Sequence, residues 1–466
     1  KDPADGLAKG VAAIYGQEVM DFLVVSPPVC TPAEPPSGAF TLAAGLCGWG
    51  YEAGLLDLSA LFFRRLLSQR RSSRAPQRHA DPVEAAVRYL VESREGFDPL
   101  SHRSALGVLH NHLKGVSREH PGWRFTLMDV TPPQRIHDPL ALWEVLDRES
   151  TPFDELFQGP LVEALTRLRP NQVLISLAYL SQLPGTLALV RFLKARGYHP
   201  VVGGSLPNSL ELTGHGLNLL GKVLPHIVTG DGFSLLRKGG PGATARGGER
   251  LVDRLLFPQM VSCAGVSHEG AGSSHEEPLS SAELYLSPHP IIPLPLSTGC
   301  FWRRCLFCPD GQLPFHAVPT KTLEAFVGSV PAGFRRQKRG RRPVFHLIDS
   351  ALPPKKLRAF LPLARELGAG FYGFARPSEA LLKDDLLSQA AESGCLMLQL
   401  GVESGSRELL DTYQKGIDPA VSSRVLSEAA AAGIRTYAYL LMGLPGETPA
   451  HRQATLDLLE HHGGLP

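Results

Sequence analysis

Three cysteines that fall within nine residues, Cys300, Cys305 and Cys308, constrain this chain more than any other feature. They follow an extended run at 291–297, so we expect a strand to end near Gly299 and a loop to fold around the three thiols. Thiolates this close repel one another unless a cation neutralises them, and the soft cations that suit sulfur are zinc and iron–sulfur clusters. The Cys-x4-Cys-x2-Cys pattern therefore predicts a metal centre.

The number of ligands separates the two kinds of centre. A structural zinc site takes four protein ligands. No fourth cysteine or histidine follows locally, because the next histidine, His316, lies beyond Pro309 and Pro314. Three cysteines suit a 4Fe-4S cluster whose fourth iron stays free for a substrate or cofactor. A zinc knuckle and a set of buried structural cysteines are the alternatives.

The cysteine loop resembles that of the radical S-adenosylmethionine (radical SAM) enzymes, including the aromatic Phe307 just before the last cysteine. The usual spacing in that family is Cys-x3-Cys-x2-Cys, so this chain has one extra residue in the first arc. The resemblance implies that Cys300, Cys305 and Cys308 bind a 4Fe-4S cluster and that S-adenosylmethionine (SAM) binds at its free iron.

Alternating strand and helix patterns follow the loop. Strands are predicted at 344–348, 370–375, 396–402 and 437–442, with helices such as 354–367, 406–410 and 419–432. With the strand before Cys300, this makes five βα units. The radical SAM core is an incomplete (βα)6 barrel, so the resemblance places the sixth unit at or beyond the end of the chain. Chemistry in such folds belongs at the carboxyl ends of the strands.

Those strand ends carry motifs that resemble the family's. They are Gly-Val-Glu-Ser-Gly-Ser at 401–406 and Gly-Leu-Pro-Gly-Glu-Thr at 443–448. Glu403 would hold the ribose or amino group of SAM, and Arg376 would pair with its carboxylate. A capping or salt-bridging role is the alternative for each. The resemblance implies a SAM site made of Phe307, Asp349, Ser350, Arg376, Glu403, Ser404, Tyr439 and Leu444.

The first half of the chain has the pattern of a doubly wound α/β domain. Short apolar runs at 21–26, 51–58, 172–176 and 199–204 alternate with helical patterns, and a helical insertion is predicted at about 60–160. Small residues end each strand, which lets a ligand approach the backbone at the carboxyl edge. A nucleotide site is disfavoured because no Gly-x-Gly-x-x-Gly follows the first strand. A flavodoxin-like domain without a ligand is the alternative.

This segment resembles the cobalamin-binding domain that precedes many radical SAM cores. The family's Asp-x-His-x-x-Gly motif is absent, which implies cobalamin without an axial histidine from the protein. The residues implied to bind cobalamin are Ser26, Pro27, Pro28, Ser176, Leu177, Ala178, Tyr179, Gly203, Gly204, Ser205, Gly230, Asp231 and Gly232.

The expected organisation is a Rossmann-like cobalamin domain at 1–235, a linker rich in Gly, Ser and His at 236–288, and a partial radical SAM barrel at 289–466. The chain begins with Lys1 rather than Met and ends soon after a helical pattern, so we expect it to be a fragment.

Composition excludes several classes of function. Forty-seven Lys and Arg against 45 Asp and Glu give a formal net charge of +2, so no overall field indicates nucleic acid or an anionic membrane as a partner. There is no apolar run of about 18 residues, which favours a soluble, cytoplasmic protein. Seven cysteines, three of them clustered, argue against a secreted disulfide framework.

The resemblance therefore implies a cobalamin-dependent radical SAM enzyme, most simply a methyltransferase. A 5′-deoxyadenosyl radical would activate the substrate, and methylcobalamin would methylate it. The implied partners are a small-molecule or peptide substrate and an external one-electron reductant of the flavodoxin or ferredoxin type. The alternatives are a rearrangement or cyclisation enzyme with the same cofactors, and a zinc-stabilised binding module.

Overall fold

The computed structural model describes residues 20–230, apart from 49, 69–80, 93–97, 137, 149, 215 and 225, and residues 285–329 and 342–462. Asp231, Gly232, the first 19 residues and most of the predicted linker lie outside the described residues. The described chain divides into two compact units, one ending at Pro288 and the other beginning at His289.

Four parallel strands form the sheet of the first unit, in the order β2-β1-β5-β6. On the central strand β1, Val24 lies opposite Leu55 on one side and Leu174 on the other. Such apolar strands suit a parallel sheet that is covered on both faces. The α/β class predicted from the sequence is confirmed. The strands are β1 Phe22–Ser26, β2 Ala53–Asp57, β5 Gln172–Ser176 and β6 Val201–Gly203, with a separate antiparallel pair β3 Arg124–Phe125 and β4 Val130–Thr131.

The helices that follow β2 share one hydrophobic core with the sheet. Phe62, Leu109 and Phe153 from the predicted insertion are buried in the same cluster as Leu23 and Ile175 of the strands. The helices are therefore part of the domain's packed interior. They are α1 Ser37–Gly48, α2 Leu58–Ser68, α3 Pro82–Glu92, α4 Pro99–Glu119, α5 Pro139–Arg148, α6 Asp154–Leu156, α7 Val162–Leu168, α8 Leu183–Lys194, α9 Ser205–Thr213 and α10 Leu217–Val223, with a π-helical turn at Phe157–Leu161.

Five parallel strands form the main sheet of the second unit, in the order β13-β12-β11-β10-β7. Strands that follow one another along the chain are adjacent in this sheet, as they are when successive βα units build the wall of a barrel. They are β7 Ile291–Leu294, β10 Val344–Leu347, β11 Gly370–Ala375, β12 Cys395–Glu403 and β13 Arg435–Leu440, and a small antiparallel pair is formed by β8 Ser297–Thr298 and β9 His316–Ala317.

Helices lie between these strands as the sequence predicts, although the one predicted at 406–410 is Arg407–Thr412. The clearest agreement is α12, Pro354–Leu367, which is followed by Gly368, a residue with φ +67° that closes the helix in the left-handed region. Strand β13 begins two residues earlier than predicted, because the polar Arg435 already pairs with Met397 of β12. The helices are α11 Thr320–Ser329, α12 Pro354–Leu367, α13 Glu379–Leu382, α14 Leu386–Glu392, α15 Arg407–Thr412, α16 Pro419–Ala431 and α17 Pro449–His462. In none of the described ranges does a helix have the length and apolarity needed to span a bilayer.

Candidate functional site

The cysteine loop, residues 299–308, leaves the end of β8 through a tight turn. Gly299 has φ +69°, and a Cβ there would overlap the carbonyl of Pro314, so only glycine fits. Cys300, Cys305 and Cys308 are partly exposed and free. Burial raises the pKa of the Cys308 thiol, which disfavours its thiolate in the absence of a cation.

Among the described residues, no three Cys, His, Asp or Glu side chains are arranged to hold a single metal ion. The ligands of one zinc ion converge on one point at about 2.3 Å from the metal. In a 4Fe-4S cluster each cysteine binds a different iron, so the sulfurs stand further apart. The assignment of the thiols to a cluster therefore rests on their spacing and on the groups around the loop.

A turn that follows α15, here called the support turn (residues 413–416), holds the cysteine loop in place. The indole Nε1 of Trp302 donates to the carbonyl of Gln414 at 2.9 Å, and the amide of Leu306 donates to the carbonyl of Tyr413 at 3.1 Å. Gly416 has φ +63°, and a Cβ on it would overlap the Trp302 indole. The loop is thus fixed on either side of Cys305, by a side-chain hydrogen bond from Trp302 and a backbone hydrogen bond from Leu306.

Arg376, which follows β11 directly, contacts the cysteine loop through its guanidinium group. Its Nη1 lies 3.9 Å from the Sγ of Cys305, and its Nη2 donates to the carbonyl of Lys415 at 2.6 Å. The guanidinium carbon stands 4.2 Å from the centroid of the Trp302 ring. The predicted SAM residue Arg376 is thereby placed beside Cys305, with only 5% of its surface exposed. Its pairing with the SAM carboxylate stays a prediction.

Glu403 ends β12 as a buried carboxylate that is paired with a buried ammonium. The Nζ of Lys415 donates to its Oε1 at 2.7 Å, and both side chains are less than 10% exposed. Glu403 itself has φ +66°, which is uncommon for a residue with a side chain. A Cβ at Gly401 would lie 2.7 Å from Glu403 Oε1 and 2.9 Å from Lys415 Nζ. The glycine of the predicted motif therefore makes room for this ion pair.

The serines of the same motif have structural partners. Ser404 is buried. Its hydroxyl lies 3.1 Å from that of Thr455 and accepts a hydrogen bond from the amide of Ser406. The hydroxyl of Ser406 accepts from the amide of Leu409 and so caps α15. A SAM contact by Ser404 stays a prediction.

Asp349, after β10, ties this strand to the end of β7. Its carboxylate accepts from the amide of Leu296 at 2.9 Å and from the hydroxyl of Ser297 at 2.5 Å. Burial raises the pKa of Asp349 to about 6, and these donors only partly oppose the rise. Ser350, beside it, is half-buried. The structure therefore uses Asp349 to hold two strand ends together at the predicted SAM edge.

Three aromatic side chains, Phe374, Tyr437 and Tyr439, pack together near the carboxyl end of β13. The ring of Tyr439 is 5.5 Å from that of Phe374 and 5.0 Å from that of Tyr437, and both tyrosines are exposed. Leu444 is half-buried in the next turn. The hydroxyl of Tyr413 donates to the carbonyl of Pro445 at 2.7 Å, which connects this turn to the support turn. Phe307 packs against Tyr413 with ring centroids 6.2 Å apart.

In the first unit, Gln182 joins the loops that follow β1 and β5. Its amide nitrogen donates to the carbonyl of Pro27 at 2.9 Å, and its oxygen accepts from the amides of Ala178 and Tyr179. Ser26, Pro27 and Pro28 are buried in this junction, as are Ser176 and Leu177. Tyr179 is exposed, so it offers a ring at the edge of the sheet.

The loop after β6 is joined to the same edge. Gly204 has φ +123°, and a Cβ there would overlap the carbonyl of Leu177. The hydroxyl of Ser205 donates to the carbonyl of Ala178 at 3.2 Å, and Asn208 exchanges two hydrogen bonds with the backbone of Gly230. A Cβ at Gly203 would meet only Val228, at 3.4 Å, and one at Gly230 would meet nothing within 4 Å. The free space beside Gly203 and Gly230 suits a bulky ligand at this edge of the sheet.

A buried carboxylate that the sequence analysis missed lies at the end of β2. Asp57 accepts from the hydroxyl of Tyr285 at 2.9 Å and from the amides of Ser59 and Ala60. Burial raises the pKa of Asp57 to about 6, and Asp57 in turn helps to raise the pKa of Tyr285. The only sequence signal is an acidic residue that ends an apolar strand.

Replacing Asp57 with asparagine is expected to flatten the pH dependence of stability. A folded-state pKa raised from 3.8 to about 6 means that, between these values, the folded state keeps a proton that the unfolded state has lost. Stability therefore falls as pH rises through that window, by up to about 3 kcal/mol. Asparagine can accept from the same amides without ionising.

Denaturant unfolding of the wild type and Asp57→Asn from about pH 4 to pH 7 checks this expectation. Asp349, whose pKa burial also raises to about 6, contributes equally to both proteins and cancels in the difference. Equal slopes in the two proteins would show that Asp57 does not titrate in this window.

Residues 294–459 match the model of the Radical SAM superfamily. The chain is similar to an uncharacterized protein of Methanocaldococcus jannaschii, MJ0486, with 23% identity over 181 residues, which is 36% of this chain and 56% of that protein.

Solved structures of two proteins, OxsB and TsrM, resemble nearly the whole chain. OxsB, a cobalamin-dependent SAM radical enzyme with aqua-cobalamin and SAM bound, has 13% identity and a TM-score of 0.52, over 95% of this chain and 52% of that one. The radical SAM methyltransferase TsrM from Kitasatospora setae, with tryptophan and a SAM analogue bound, has 16% identity and a TM-score of 0.51, over 95% of this chain and 71% of that one.

This chain spans only about half the length of the M. jannaschii protein and of OxsB. At these identities, the structural likeness concerns the fold. The resemblance predicted from the cysteine loop and the strand-end motifs is confirmed by the family match. Residues 294–459 match the Radical SAM superfamily, in a chain whose fold is similar to that of OxsB and TsrM.

Proposed function

We propose that this chain binds a 4Fe-4S cluster through Cys300, Cys305 and Cys308, together with SAM and cobalamin, and transfers a methyl group to a small-molecule or peptide substrate. The observation that carries the proposal is the cysteine loop fixed at the carboxyl edge of a five-stranded parallel sheet, beside a buried cation and a buried carboxylate. When bound, the reduced cluster supplies the electron that cleaves SAM, and methylcobalamin supplies the methyl group.

The residues of the radical SAM domain would bind and orient SAM. Glu403 is held in one position by Lys415 and would accept hydrogen bonds from the ribose or the amino group. The rings of Phe374 and Tyr439 present apolar surface on which the adenine would pack. Because the ion pair is buried before SAM arrives, little reorganisation is needed on binding.

The edge of the four-stranded sheet would hold cobalamin. Gln182 and Asn208 fix the loops in place, and the open glycines Gly203 and Gly230 leave room for a macrocycle. Asp231 and Gly232 belong to the same proposed set. The structural relatives OxsB and TsrM were solved with cobalamin bound, which supports this assignment.

That the reaction is a methyl transfer is the more specific part of what we propose. TsrM is named as a methyltransferase, whereas the name of OxsB specifies only a radical enzyme. A rearrangement or cyclisation that uses the same cofactors is therefore the second candidate. In either reaction, an external one-electron reductant of the flavodoxin or ferredoxin type would reduce the cluster.

SAM with a labelled methyl group separates the two reactions. With substrate and reductant, methyl transfer is expected to use one SAM to form 5′-deoxyadenosine and a second to form S-adenosylhomocysteine, with label in the product. 5′-Deoxyadenosine without S-adenosylhomocysteine or labelled product would favour rearrangement or cyclisation.

A larger side chain at Gly203 is expected to block cobalamin. Gly203→Leu should take up less than about a tenth of the wild-type cobalt after incubation with hydroxocobalamin, because the branched side chain would occupy the edge of the sheet. Gly107→Leu is the matched control, since Gly107 lies exposed in α4 and its Cβ would meet nothing within 4 Å. Equal cobalt in both variants, with unchanged circular dichroism, would place the ligand elsewhere.

A further inference from the structure

A buried guanidinium stands against the sulfur of Cys305. The Nη1 of Arg376 lies 3.9 Å from this sulfur, and the residue as a whole is 5% exposed. The other nitrogen, Nη2, is anchored by the carbonyls of Lys415 and Gly416 at 2.6 and 3.5 Å. The positive charge is therefore fixed in place by the backbone, at the side of the loop that carries the middle cysteine.

In the described part of the chain, no carboxylate forms a salt bridge with Arg376; its hydrogen bonds are to backbone carbonyls and the Cys305 sulfur, and Glu403 acts on it only through space. Lys415, the other buried cation near the loop, is neutralised by Glu403 at 2.7 Å. A buried cation with neutral hydrogen-bond partners exerts its field on whatever charge lies closest. Here the sulfur of Cys305 lies 3.9 Å from that cation.

Trp302 covers the guanidinium. The ring centroid is 4.2 Å from the guanidinium carbon, and the indole is held by its bond to Gln414 and by its contact with Gly416. The ring shields the charge from water, which strengthens its field on the loop. Arg304, in contrast, is exposed and stands 5.1 Å from the same ring, so water screens its charge.

We propose that Arg376 sets the reduction potential of the cluster, an inference that rests on the proposed function of the cysteine loop. Reduction adds one electron from the external one-electron reductant and forms or breaks no bond. The added negative charge is stabilised by the fixed guanidinium, which makes the cluster easier to reduce. Arg376 thus acts before SAM cleavage, and its action does not require SAM.

Potentiometric titration of the reconstituted chain without SAM, followed by electron paramagnetic resonance, tests this role. At the potential that reduces half of the wild-type cluster, Arg376→Met should have a reduced-to-oxidised ratio on the order of tenfold lower. The reduced-to-oxidised ratio of Arg376→Lys, which keeps the charge, should lie between those of the wild type and Arg376→Met. Arg304→Met removes an exposed charge beside the same ring and should stay close to wild type.

The variants distinguish the inference from simpler accounts. If Arg376→Met loses iron, Arg376→Gln carries the test, since its amide can still donate to the carbonyl of Lys415. Equal potentials in the wild type and in these neutral variants at equal iron content would overturn the inference and leave the proposed function standing. A shift in potential in Arg304→Met as large as that in Arg376→Met would also overturn the inference. A wild-type chain that forms no cluster would overturn both.

Discussion

Replacing Cys300, Cys305 or Cys308 with alanine is expected to abolish cluster binding and SAM cleavage. Each of these cysteines would supply one of only three protein ligands, and a cluster with two ligands is lost to solvent. Iron should fall from about four atoms per chain to near zero. Iron and sulfide analysis after anaerobic reconstitution, with the assay of 5′-deoxyadenosine, measures the effect.

Cys395→Ala is the matched control within the same unit. Cys395 is free and buried in β12, with its thiol 3.8 Å from the carbonyl of Met397, and burial raises its pKa to about 12. It is therefore held as a neutral thiol and should not matter for iron content. A full cluster in Cys300→Ala would show that the longer first arc does not supply a ligand.

Replacing Lys415 with methionine is expected to destabilise the radical SAM domain by about 3–5 kcal/mol. Lys415 and Glu403 are a buried ion pair, so removal of the ammonium leaves a buried carboxylate without its partner. The loss should appear as a lower denaturant midpoint for the second unit and as faster amide exchange in β12.

The double variant Glu403→Gln, Lys415→Met separates the charge effect from the loss of packing. Removing both charges should recover most of the stability, because no unpaired ion is then buried. SAM affinity should stay low in the double variant if Glu403 holds the ribose or amino group. A double variant as unstable as Lys415→Met would show that packing around Lys415, not its charge, supports β12.

The strands and helices of both units could be predicted because their patterns are local. Apolar runs such as 172–176 mark buried parallel strands, and Pro354 and Gly368 mark the two ends of a helix. The order of strands in the second sheet follows from simple succession of βα units. The position of the cysteine loop follows from the strand that precedes it.

The contacts that hold the site together could not be predicted in the same way. The bond from Trp302 to Gln414 joins residues that are 112 positions apart, and Gln182 contacts Pro27 across 155 positions. Polar side chains such as these carry no periodic signal. Only the fold shows that Lys415 neutralises Glu403 and that Gly416 leaves room for the indole.

The most direct test of the central claim is the metal content of the wild-type chain after anaerobic reconstitution with iron, sulfide and hydroxocobalamin. We expect about four iron atoms and one cobalt per chain, with the absorbance of an iron–sulfur protein. Iron without cobalt would contradict the cobalamin assignment and indicate a cobalamin-free radical enzyme. A colourless chain that binds zinc and no iron would contradict the account as a whole.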